Sequence, residues 1–158
     1  MSNNRLSFLK DAFPGFKLQF SDDYSNAMIV NPNHAENIIV YDDEFEFTVC
    51  FSFQHRHFED EDDIFEWIHK IISGNICAIE FFNHEQRGFG GEIDTEEMQE
   101  LTYEKLEQFT GYFGLTKLLD VADSFKIRGW DSKNNFDCKM DREENGTIVI
   151  RKTFVGIL

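Results

Sequence analysis

The chain has 158 residues, with 30 Asp/Glu against 15 Lys/Arg and a net charge of −15, a balance that disfavours nucleic acid and anionic membrane surfaces and favours basic partners. Eighteen Phe, two Trp and four Tyr exclude a disordered acidic chain and supply a core for one folded domain. The charge is uneven: residues 1–114 hold 23 acids and 7 bases, whereas residues 115–158 hold 7 acids and 8 bases.

From the amino terminus, Met1 to Asp11 lacks the apolar stretch of a secretory signal. Leu6, Leu9 and Phe13 recur at helical spacing ahead of Pro14-Gly15, which predicts a short helix. Residues 16–20, 27–30 and 37–41 are short β-favouring runs, separated by Ser-Asp-Asp and Asn-Pro-Asn turn chemistry. From Glu44 to His57 the residues alternate strictly, with Phe45, Phe47, Val49, Phe51 and Phe53 on one face and Glu46, Thr48, Cys50, Ser52 and Gln54 on the other. That pattern predicts one long strand, entered by an antiparallel turn at Asp42-Asp43.

Ile64, Phe65, Ile68, Ile71 and Ile72 mark the clearest helix, and Gly74-Asn75 stops it. The run Glu59–Asp63 stands at its front and exceeds what one helix end can use. Ile76–Phe82 reads as a buried strand and Gly88–Ile93 as another. A helix between strands permits a crossover, so a mixed sheet with at least one parallel pair is expected. Asp94-x-x-Glu97 has capping-box spacing, and Met98, Leu101, Leu106, Phe109 and Phe113 form an interrupted helical series. A short helix through residues 115–122 and three antiparallel strands near 124–130, 135–140 and 147–154 complete the chain, with Asn145-Gly146 as a hairpin turn. The fold class is α+β: a single domain over residues 1–158, with a mixed, mostly antiparallel sheet and three to four helices packed on it. The change of charge makes residues 111–115 the place for a subdomain seam.

The candidate chemistry is sparse. Cys50, Cys77 and Cys138 are odd in number and widely spaced, which argues against a disulfide framework and for a reducing, cytoplasmic setting. His55 and His57 share a strand face at a spacing that metal sites use, yet two imidazoles are not a ligand set, and His84 joins them only if the fold brings it near. Cys50 falls on the face opposite both histidines, and Cys77 lies in an apolar run. Gly88-Phe89-Gly90-Gly91 lacks the Gly-Lys-Ser/Thr end of a phosphate loop and reads as a turn or bulge. The Glu59–Asp63 run fails the register of a calcium loop, because Ile64, Phe65 and Ile71 stand where an oxygen ligand, a Gly and a Glu are required. Asn145-Gly146-Thr147 matches a glycosylation acceptor but is better read as the turn. Lys126, Arg128, Lys139, Arg151 and Lys152 are offset by acids, so no nucleic-acid surface is expected. No cofactor, metal or catalytic group is expected.

What remains is the acidic surface. Glu59, Asp60, Glu61, Asp62 and Asp63, followed by Asp42, Asp43 and Glu44, are the candidate contacts with a basic protein, and the acids from Glu92 to Glu107 would extend them into a ridge. A small, strongly acidic α+β chain with such runs and no catalytic motif resembles the immunity proteins of bacterial polymorphic and contact-dependent toxin systems. The resemblance implies a non-enzymatic inhibitor that masks the active-site groove of a cognate basic toxin domain, commonly a nuclease, with no nucleic acid or membrane as its own partner. Two other readings stay open: a small metal-dependent hydrolase using His55 and His57, and a structural assembly subunit using the aromatic surface.

Overall fold

The computed structural model describes residues 4–112 and 114–157, so the expectations placed on Phe113 and on the first three residues lie outside it. A 3-10 turn at Arg5–Ser7 leads into α1 (Phe8–Ala12), and Leu6 and Leu9 are buried as their spacing predicts. β1 (Leu18–Phe20), β2 (Asn26–Ile29), β3 (Ile38–Asp42), β4 (Phe47–Phe51) and β5 (Gln54–Phe58) then form an antiparallel meander in chain order. α2 (Glu61–Ile72) follows, and Gly74 at φ 80° takes the left-handed conformation that ends it.

The second half builds another five-stranded sheet. β6 (Ile76–Asn83) and β7 (Gln86–Asp94) make a hairpin, followed by a 3-10 turn at Glu97–Glu100, α3 (Tyr103–Tyr112) and α4 (Thr116–Val121). β8 (Ser124–Arg128), β9 (Phe136–Arg142) and β10 (Ile148–Phe154) complete the order β10-β9-β8-β6-β7. At the last hairpin, Gly146 has φ 84° and its N–H reaches the Glu143 carbonyl at 3.0 Å.

The α+β class stands, with two corrections. Every strand pair among the described residues is antiparallel, so the expected parallel pair does not form. The reason is topological: α2 leaves the edge strand of one sheet and delivers the chain into another, so it crosses over nothing within a sheet. The long strand expected from Glu44 to His57 also breaks. Ser52, at φ 51°, reverses the chain so that Phe51 pairs with Gln54. Phe47, Val49 and Phe51 are buried as expected, whereas Phe45, at the tip of the preceding hairpin, is 90% exposed.

Two apolar cores result. In the first, Ala27, Ile29, Val40, Val49 and Phe51 on one face of the first sheet meet Leu9 of α1 and Ile64, Trp67, Ile68 and Ile71 of α2. In the second, Ile79, Phe81, Phe125 and Ile127 meet Met98, Leu106 of α3 and Leu119 of α4. β6 serves both, giving Ile76 and Ala78 to the first and Cys77, Ile79 and Phe81 to the second, which accounts for its unbroken apolar run. The glycine cluster is a bulge, as expected: Phe81 pairs with Phe89 and Phe82 with Arg87, leaving Gly88 as the extra residue. At Gly90 a side chain would be crowded, because a Cβ there would lie 3.1 Å from the Phe53 carbonyl oxygen and the backbone would have to give by a few tenths of an ångström. No helix among the described residues is long and apolar enough to cross a membrane.

Candidate functional site

The register of the first sheet brings the two acidic runs together. Asp42 pairs with Phe47, and Phe47 pairs with Phe58, so the turn at residues 43–46 and the junction at residues 59–60 leave the same end of the sheet. Glu46 and Glu59 each stand one residue beyond the Phe47–Phe58 pair and line the same groove.

At the turn, the Asp43 N–H donates to the Glu46 carbonyl at 3.0 Å and the Phe45 N–H to the Asp43 carbonyl at 2.9 Å. This closes a tight turn around Glu44, whose φ is 69°. Asp42 is partly neutralised, because its Oδ1 accepts from Arg5 at 2.8 Å and from the Glu44 N–H at 3.0 Å. Arg5 also lies over the Phe47 ring at 4.4 Å. Asp43 accepts from the Thr48 hydroxyl at 2.5 Å. His57 Nδ1 lies 3.0 Å from Glu46 Oε1 and 3.1 Å from Thr48 Oγ1, and because a carboxylate only accepts, Nδ1 carries the proton.

At the junction, Asp60 caps α2 by accepting from the Asp62 N–H at 2.7 Å. Glu59, Asp60, Glu61, Asp62 and Asp63 are all exposed. Only one of the five is needed as a cap, and the others of the first turn gain from the positive end of the helix dipole by about 0.3–1 kcal/mol each. Between β5 and α2 lies an open groove of about 590 Å³. Phe58 and Trp67 form its floor, Glu46, Glu59, Asp63 and Glu66 its rim, and Lys70, 3.3 Å from Glu66, closes one side. Arg56, itself half exposed, lies over the floor, 5.5 Å from the Phe58 ring and 5.6 Å from the Trp67 ring, and 3.4 Å from Glu92, and the Trp67 Nε1–H donates to Glu92 at 2.6 Å.

The ridge expected from Glu92 to Glu107 does not continue this end. Glu92 is committed to Trp67 and Arg56, and Asp94 lies where the Thr95 N–H meets the Asn75 carbonyl at 2.9 Å, beyond the other end of the 12-residue α2. That is about 18 Å along the helix from Asp60. Sequence reasoning missed Glu46, Glu66 and Trp67 as groove residues and Phe45 as an exposed ring.

The histidine readings change as well. Because the chain reverses at Ser52, Cys50 pairs directly with His55 and shares its face, correcting the expectation that they lie on opposite faces. This pair is not an activated thiolate: burial, and then the Asp43 carboxylate, push the Cys50 thiol up. The His55 and His57 rings meet edge to face at 5.3 Å, while His84 sits 3.4 Å from Asp123 at the β6–β7 turn. Among the described residues no group of three or more His, Cys, Asp or Glu is arranged to hold a metal ion. Neither a family model, nor a curated protein, nor a solved structure matches the chain, so the site is read from its own geometry.

Proposed function

We propose that this protein is a binding module that docks a basic protein through the acidic end of its first sheet, and that it acts as an immunity protein, masking the substrate groove of a cognate toxin domain. The observation that carries this reading is the convergence of residues 42–46 and 59–63 at one sheet end, with the 90% exposed Phe45 between carboxylates. An exposed aromatic ringed by charge is the arrangement of an interface anchor: the ring supplies affinity on desolvation, and the carboxylates steer and orient the partner. The groove's rim receives Lys or Arg side chains through the carboxylates of Glu59 and Asp63, while the chain's own Arg56 already lies over the aromatic floor. Carboxylates presented this way mimic the phosphates of a nucleic acid substrate, which suits a nuclease domain as the target.

The test is capture from the source cell with wild type, Phe45→Ala and the triple reversal of Asp60, Asp62 and Asp63 to Lys, followed by identification and titration of what binds. Phe45→Ala should fold with stability within about 0.5 kcal/mol of wild type, since the ring is in solvent. It should nevertheless weaken the partner at least about tenfold. A captured basic domain bound equally well by all three proteins would contradict the proposal.

A further inference from the structure

β10 is the outermost strand of the second sheet and pairs with β9 along its whole length, from Ile148↔Arg142 to Phe154↔Phe136. Flanking hydrogen bonds fix which of its peptide groups face inward. The Glu143 N–H donates to the Thr147 carbonyl at 2.8 Å, and the Val155 N–H to the Asn135 carbonyl at 2.9 Å. Hydrogen-bonded positions recur every second residue in an antiparallel ladder, so residues 147, 149, 151, 153 and 155 turn toward β9. The N–H and C=O groups of Ile148, Ile150, Lys152 and Phe154 therefore face outward, and among the described residues no hydrogen bond satisfies them.

The edge is also open to pairing in its sequence and charge. It spans 7 residues with no proline and no break in register, and Phe154 at its end is 60% exposed. Its charged side chains are Arg151 and Lys152, with no carboxylate, whereas residues 1–114 carry 23 acids against 7 bases. Two copies of a chain of net charge −15 repel one another across acidic faces; at this edge no carboxylate of β10 meets another, and the like charges that do meet are those of Arg151 and Lys152.

We propose that β10 pairs with β10 of a second copy of this chain, antiparallel about a two-fold axis at Arg151, joining the two second sheets into one continuous sheet. In this register the outward-facing groups meet as hydrogen-bonded pairs, Ile150 with Lys152 of the second copy and Ile148 with Phe154 of the second copy. Phe154 then covers Ile148 across the axis. On the opposite face Arg151 meets its own counterpart, but each guanidinium is held by Asp141 of its own chain at 2.6 Å, which offsets the like-charge contact.

Sedimentation of the full chain up to about 100 μM in about 150 mM salt tests this. The mass should rise with concentration from 18.6 kDa toward twice that value. Lys152→Pro should stay at the mass of one copy, because its lost N–H faces outward and the ring suits an edge strand. Lys152→Ala keeps the N–H and should associate like wild type. Arg151→Cys should give a disulfide-linked dimer on mild oxidation and Thr153→Cys should not, since only position 151 faces itself across the axis, with Cα atoms about 4.5 Å apart. Wild type that stays a single copy at every concentration, or folded Lys152→Pro that still associates, overturns the proposal. Should Lys152→Pro not fold, the absence of a linked dimer from Arg151→Cys overturns it instead.

Discussion

Gly129 has no room for a side chain: a Cβ there would lie 2.7 Å from the Asn134 Cβ and 3.2 Å from the Cys77 sulfur. Both neighbours are buried, so neither gives way freely, and Gly129→Ala should cost about 1–3 kcal/mol in urea unfolding. Nearby, Asn31 and His34 clamp the loop after β2 to the loop after β8. The Glu36 N–H donates to His34 Nδ1 at 3.1 Å, which places the ring proton on Nε2, and that group donates to the Trp130 carbonyl at 2.7 Å. Cys138 carries a pH signature. Burial holds its thiol up at about 11, above the ordinary value of 9.0, so between these values the unfolded chain loses a proton that the folded chain keeps. Stability must therefore fall as pH rises from about 9 to about 11 and level off above that range. Burial also raises Cys77, Cys50 and Tyr103, which adds to the same alkaline loss. Denaturant midpoints measured across this range should fall less steeply for Cys138→Ala than for wild type.

The β6–β7 hairpin turns through His84 and Glu85, both with positive φ, at 47° and 69°. Such a turn favours Asn-Gly, so Glu85→Gly should stabilise the protein by about 1 kcal/mol, read as a higher urea midpoint at unchanged slope. This turn and the one at Ser52 also mark the boundary of what the sequence discloses. Elements bounded by Pro14-Gly15, Gly74-Asn75 or Asn145-Gly146 are visible because those residues carry the backbone conformation that ends them. Ser52-Phe53 and His84-Glu85 reverse the chain with residues that carry no such signal, so the sequence shows one strand where two exist, and it shows the strand at residues 88–93 without the tight turn that pairs it with β6. Length is the physical signal of the break, since 14 alternating residues far exceed the usual strand of about 5–6. Phe45 keeps the parity of the core face, and only its place at a hairpin tip sends it into solvent. The acidic residues of the candidate site were legible from composition. Their partners Glu46, Glu66 and Trp67 were not, because the groove exists only once β5 and α2 pack together.

Taken as a body, the molecule separates two kinds of surface. One sheet end gathers carboxylates around a solvent-facing ring, and the far edge of the other sheet offers unpaired peptide groups without negative charge. The first suits a cationic partner and the second a like copy, so the two associations should respond oppositely to salt. Screening shortens the reach of exposed charges to about 10 Å at about 0.1 M, which weakens attraction at the acidic end and relieves repulsion between copies. The central claim concerns the first of these: carboxylates from two separate stretches of chain act as one docking surface. Its most direct test is the association rate of the captured basic domain with wild type and with the triple reversal of Asp60, Asp62 and Asp63 to Lys, at about 20 mM and about 300 mM salt. Wild type should associate at least about tenfold faster at low salt, and the reversal should remove most of that difference. Equal rates and equal salt dependence for the two proteins would contradict it.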